Sequence, residues 1–143
     1  FKLVIAGSEF WRISDLKNLI KEKVLQSEII FTGRLEDDKL NNIIGSAFAM
    51  TFVSYYEGFG IPIIEAMASG VPVICSQCTA MPEVSGDAEL WIDPTDPNTI
   101  GTALTKIETS KVLKDELVTK GLIRATLFSW SLTAQKLTEA LEL

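Results

Sequence analysis

Residues 54–70 constrain the fold more than any other stretch. An apolar run at 48–53 comes before them and predicts a buried strand. The turn that follows is rich in glycine: Glu57, Gly58, Phe59, Gly60. A helix comes next, with Pro62 in its first turn and Gly70 just past its end, which is the usual punctuation of helix ends. A strand, a glycine turn and a helix in that order leave free N–H groups at a helix start. The aligned peptide dipoles add partial positive charge there. Such a unit can hold a phosphate on main-chain amides.

Two carboxylates flank this anion site. Glu57 lies in the turn and Glu65 in the helix, with seven residues between them. A carboxylate repels a phosphate, so these two must serve something else. Sugar hydroxyls fit, because an ionised glutamate can accept from two O–H groups. The stretch therefore outlines a site for a nucleoside diphosphate sugar.

The chain has 143 residues, 47% of them hydrophobic, which suits one domain spanning 1–143 with a substantial core. A formal charge of −6 argues against a nucleic-acid partner, which would need a basic face. No apolar run is long enough to span a bilayer, and no signal peptide is visible. Residues 2–6 read as a strand already under way, so the expectation is a piece of a longer polypeptide. Cys75 and Cys78 form a C-x-x-C pair in a chain without histidine, too few ligands for a structural zinc site. They are either a redox pair or two small residues kept reduced in a cytosolic protein.

Taken in order, residues 2–6 predict a buried parallel strand, 9–26 an amphipathic helix, 28–32 a strand and 36–46 a short helix. After the central stretch, 71–75 predict a strand. Pro72 puts its start near a sheet edge or at its first residues. A helical turn is expected at 82–84 and a short strand at 89–92. Helices follow around Ile100–Ile107 and Leu113–Phe128, with Gly121 allowing close backbone contact in the second. Ser129 would cap a last helix carrying Trp130, Ala134, Leu137 and Leu141. Alternating strands and helices imply an α/β, Rossmann-like parallel sheet with helices on both faces. Such sheets bind ligands at the carboxyl ends of their strands. Gly7, Gly33, 54–60 and 76–82 all fall at such ends and should share one rim.

The run from Glu57 through Glu65 to Val73 resembles the signature of the family 4 (group 1) retaining glycosyltransferases. Residues 31–35, 81–88, 92–94 and 128–131 resemble further segments of the same family, in the right order. The resemblance implies the donor-binding half of a GT-B fold. It implies that Glu65 binds the two ribose hydroxyls. Glu57 would be the catalytic residue, holding a donor-sugar hydroxyl and stabilising positive charge at the reacting carbon. Its rival role is a cap for the Pro62 helix. Gly58, Phe59, Gly60 and Ile61 would bind donor sugar and phosphate. Gly33, Arg34 and Leu35 would line the base pocket, with Arg34 stacking on the base, reaching phosphate, or simply solvated. Thr79 and Ala80 would touch the donor phosphates, Glu83 would suit a helix start, and Tyr55 and Tyr56 would pack.

The implied reaction moves a hexosyl group from a UDP-, GDP- or ADP-sugar to an acceptor hydroxyl in polysaccharide, lipopolysaccharide or glycolipid synthesis. It implies no cofactor and no metal. The glycan or glycolipid acceptor would bind an upstream domain, along with an Arg and a Lys that grip the diphosphate. Residues 1–143 alone are therefore expected to be inactive. The expected location is cytoplasmic, and the resemblance allows peripheral contact at the inner face of a membrane through the other domain. The rival reading is a non-catalytic nucleotide-sugar-binding or assembly domain. A further rival keeps the fold for phosphorolysis or glucan synthesis. An unrelated receiver-like domain would want clustered Asp at its strand ends, which this sequence lacks.

Overall fold

The computed structural model describes residues 1–8 and 13–141. The chain divides into two compact units, Phe1–Asn42 and Ile43–Leu143.

The first unit contains β1 (Leu3–Ala6), α1 (Ile13–Glu22), β2 (Ile29–Gly33) and the start of α2 (Asp37–Ser46). β1 and β2 pair in parallel, with Leu3 opposite Ile29 and Ile5 opposite Phe31. The predicted burial of β1 is not met. Leu3 and Val4 are exposed, in a strand whose ladder partner among the described residues is β2 alone. The predicted helix over 9–26 is also shorter. Its part at 9–12 lies outside the described residues, and α1 ends at Glu22. Val24 takes a left-handed φ of 56°, and Leu25 N–H donates back to Ile20 O at 2.9 Å. That closes the helix as a left-handed C-cap does, which apolar spacing alone could not reveal.

The second unit continues from α2 through β3 (Met50–Phe52), α3 (Ile61–Ala68), β4 (Val73–Ser76), α4 (Met81–Ser85) and β5 (Glu89–Ile92). It ends with α5 (Pro97–Thr109), α6 (Lys111–Ala125) and α7 (Trp130–Leu141). Its strands run parallel in the order β3-β4-β5, with Phe52 opposite Cys75 and Cys75 opposite Trp91. β4 is central and every residue in it is buried. Pro72 therefore marks the strand's start and not a sheet edge. It sits just before Val73, and its carbonyl accepts from Met50 N–H at 2.9 Å while no ladder donor is asked of it.

As expected, the strands within each unit run parallel; among the described residues they hydrogen-bond as a two-stranded and a three-stranded sheet. Strand–helix alternation fixes the direction of successive strands. It does not fix the continuity of one ladder.

The core of the second unit gathers Ile74, Ile92, Ala103, Ile107 and Leu117, with Phe48, Leu90, Ile100 and Leu113 packed around them. Each fully buried aliphatic side chain of this kind contributes about 1.5–3 kcal/mol. α3 buries Ile63, Ala66 and Met67. Gly121 of α6 meets it closely: a Cβ there would stand 3.2 Å from Met67 Cγ and 3.6 Å from Met67 Cα. This is the close contact expected of that glycine. Asp96 and Ser110 cap α5 and α6. Ser129 Oγ accepts from Leu132 N–H at 3.1 Å, as its position predicts. α7 forms, yet none of its residues is buried. Among the described residues no helix is long and apolar enough to cross a membrane.

Candidate functional site

The site is built where β3 and β4 end. β3 stops at Phe52, and the chain reaches Ser54, whose N–H donates to Ser76 Oγ at the end of β4 (3.0 Å). Cys78 Sγ donates to Ser54 O at 3.0 Å. Three residues on, Glu57 is held twice by one hydroxyl. Thr79 Oγ1 accepts from Glu57 N–H at 3.0 Å and donates to Glu57 O at 2.8 Å. Thr79 takes a φ of 48° to do this. A β-branched residue there carries strain of about 1–3 kcal/mol, which the two bonds offset. The result is a turn stitched to the β4–α4 loop by side chains 22 to 24 residues away.

Glu57 is half-buried, and its Oε1 accepts from Ser54 Oγ at 2.9 Å. The same hydroxyl also lies 3.2 Å from Tyr56 O. One proton serves one acceptor at a time, and an ionised carboxylate is the stronger of the two. The capping role for Glu57 is overturned. Gly60 is the N-cap of α3, with a φ of 99° and no side-chain cap bond. A Cβ on Gly60 would come within 3.1 Å of Ile63 Cδ1, so both space and conformation call for glycine.

Among the described residues the amides of Gly58, Phe59 and Gly60 have no acceptor. Ile61, exposed, opens the helix with Pro62 behind it. Phe59 meets Phe128 edge to face at 5.9 Å, and the Arg124 guanidinium lies 5.3 Å from the Phe128 ring. Arg124 also donates to Val84 O at 2.9 Å and to Glu83 O, fastening the end of α4. Glu65 stands half-buried along α3, and its carboxylate has no partner among the described residues.

Gly33, Arg34 and Leu35 belong to the first unit. Gly33 ends β2 with a φ of 66°, and its carbonyl accepts from Gly7 N–H at 3.0 Å. Arg34 is exposed and Leu35 half-buried. Tyr55 and Tyr56, expected to pack, are instead 72% and 77% exposed: the stitched turn carries them outward. Thr79 has already given its hydroxyl proton to Glu57 O. Glu83 lies in the first turn of α4, the favourable end for a carboxylate.

Sequence reading gave Ser54 no role, though its spacing from Glu57 put a hydroxyl within reach. It also passed over Glu89. That residue is 7% exposed at the start of β5, and among the described residues neither carboxylate oxygen has a hydrogen-bond partner. Ser85 lies nearby, but its hydroxyl donates to Met81 O at 2.6 Å. Burial pushes the Glu89 carboxyl up to about 7. Burial, and then the neighbouring Glu89, push the Cys75 thiol up to about 12. A thiol held protonated in this way is unsuited to redox exchange, and both cysteines are free.

Comparison with known proteins places this geometry in a lineage. The profile of the family "Glycosyl transferases group 1" matches residues 1–122. The O-antigen chain mannosyltransferase B of Escherichia coli is 35% identical over 130 residues, covering 91% of this chain and 34% of that protein. The chain thus spans about a third of that relative's length. Sucrose-phosphate synthase from Thermosynechococcus elongatus superposes with a TM-score of 0.84 at 27% identity, over 99% of this chain and 38% of that one. Anabaena Alr3699/HepE, solved in complex with UDP, shares the fold with a TM-score of 0.89 at 17% identity, over 99% of this chain and 40% of its own.

Proposed function

This chain belongs to the group 1 glycosyl transferases, and from that premise we propose that it is the donor-binding part of a retaining hexosyltransferase. One observation carries the proposal. A half-buried carboxylate, Glu57, is aimed by a hydroxyl beside the amides of residues 58–60, which have no acceptor among the described residues, at the start of a helix that bears Glu65.

In this reading Glu65 accepts from the ribose hydroxyls. Glu57 accepts from a donor-sugar hydroxyl and stabilises positive charge developing at the reacting carbon. The nucleoside diphosphate leaves as an anion. The amides of Gly58, Phe59 and Gly60 and the start of α3 stabilise that charge as it forms. Ile61 lies against the donor. The transferred hexose is mannose, a choice supported by the Escherichia coli relative. The acceptor is a hydroxyl of a growing polysaccharide or glycolipid, bound by a further domain. The reaction needs no metal, residues 1–143 alone do not turn over, and the protein works in the cytoplasm.

The test is a turnover assay on the full-length protein carrying this chain, with UDP-glucose, GDP-mannose and ADP-glucose as donors and EDTA present. The expected result is release of one nucleoside diphosphate with a product of unchanged anomeric configuration, and a Glu57→Gln variant slower by about 10²-fold. Inverted product would overturn the retaining assignment. Donor binding without turnover would favour a non-catalytic role.

A further inference from the structure

We propose that Ser54 and Thr79 are positioning residues that pre-set Glu57 for the donor sugar, an inference that rests on the donor-site reading above. Glu57 sits in a glycine-rich turn, where a long side chain would otherwise sample several rotamers. Two hydroxyls remove that freedom from opposite ends. Thr79 Oγ1 bonds both the N–H and the C=O of Glu57 and so fixes the backbone. Ser54 Oγ bonds Oε1 and so fixes the carboxylate.

The division of work follows from proton count. The Thr79 hydroxyl has given its only proton to Glu57 O, so it cannot also donate to a phosphate. The Ser54 hydroxyl occupies one carboxylate oxygen and leaves Oε2 without a partner among the described residues, open to a sugar hydroxyl. Ser54 is itself tied down. Its N–H is held by Ser76 at the end of the central strand, and its carbonyl by Cys78. The rigid strand β4 therefore sets the carboxylate through its following loop. A carboxylate ordered before binding loses less entropy on meeting its ligand.

The pairing predicts an effect confined to the sugar end of the donor. Isothermal titration of the full-length protein would use UDP, GDP and ADP beside UDP-glucose, GDP-mannose and ADP-glucose. The gain in affinity of a nucleotide-sugar over its parent nucleotide reads the sugar end alone. For the pair with the largest gain, Ser54→Ala should cut that gain about three- to tenfold while the parent nucleotide binds as before. Thr79→Val should act in the same direction, and Thr79→Ser should restore the gain. If Ser54→Ala does not fold, the Thr79 pair carries the test.

An unchanged gain in the variants overturns the inference. So does an equal loss of nucleotide and nucleotide-sugar, which a merely disrupted loop would give. If the unsubstituted protein shows no gain with any sugar, the donor-site reading is at fault and the inference falls with it.

Discussion

Glu57 lies half-buried beyond β3 with a hydroxyl 2.9 Å from one oxygen, whereas Glu89 begins β5 at 7% exposure with no hydrogen-bond partner for either oxygen among the described residues. Both are glutamates of the same unit, attached to the same three-stranded sheet. Glu57 has a partner on its own turn and a second oxygen left open. Glu89 is enclosed where charge is costly, and burial lifts its carboxyl to about 7. The contrast separates two uses of buried surface. At Glu57 the structure supplies what an ionised group needs in order to act on a ligand. At Glu89 burial outweighs the lesser help from Ser85, the Ala88 backbone and Arg124, so the group contributes a cost to folding once it ionises.

The largest effect that would break this contrast is at Glu57. Glu57→Ala should lower turnover of the full-length protein by about 10²-fold or more. Its unfolding free energy in urea should change by no more than about 0.5 kcal/mol, because the surface there is half open. A loss of several kcal/mol would instead make Glu57 a residue that holds the fold together.

Next in size is Glu89→Met, which should stabilise the protein by about 1–3 kcal/mol at pH 8 and leave donor affinity untouched. Urea unfolding and titration on the same samples check both halves. A smaller effect is the pH dependence of that gain. The folded carboxyl titrates near 7 against an ordinary value of 4.5, so the folded state holds the extra proton in that window. The stability from the neutral carboxyl is full below 4.5 and is lost as pH rises through 7. The gain from Glu89→Met should therefore be larger at pH 8 than at pH 5. An equal gain at both would mean that Glu89 does not titrate in that window. The smallest effect is at Cys75, buried beside Glu89 with its thiol near 12. In native protein at pH 8 it should react with iodoacetamide far more slowly than the partly exposed Cys78, and both should react alike in urea.

The sequence was most legible where the signal is local. Pro62 and Gly70 bracket α3 because a missing N–H and a left-handed end are properties of single residues, and Gly70 takes a φ of 68°. Ser129 capped α7 for the same reason. What α7 would bury was not local, and Trp130 stands 82% exposed. The stitch from Thr79 to Glu57 joins residues 22 apart and depends on a left-handed threonine, which no spacing rule announces. The sequence places Glu89 at the start of a short strand, and nothing local marks it as buried. Ser85 gives its hydroxyl proton to Met81 O, a choice made only in the folded chain, and among the described residues neither Glu89 oxygen has a hydrogen-bond partner. The groups of the second-unit site were legible, but not the bonds that hold them.

In the proposed function, Glu65 and the turn before it bind a nucleoside diphosphate sugar. The direct measurement is isothermal titration of the full-length protein and its Glu65→Ala variant with UDP, GDP and ADP. One nucleotide should bind, and the variant should bind it at least about tenfold more weakly, as loss of charge-assisted bonds to the ribose requires. Equal binding by both proteins, or no binding of any nucleotide at millimolar concentration, would contradict it.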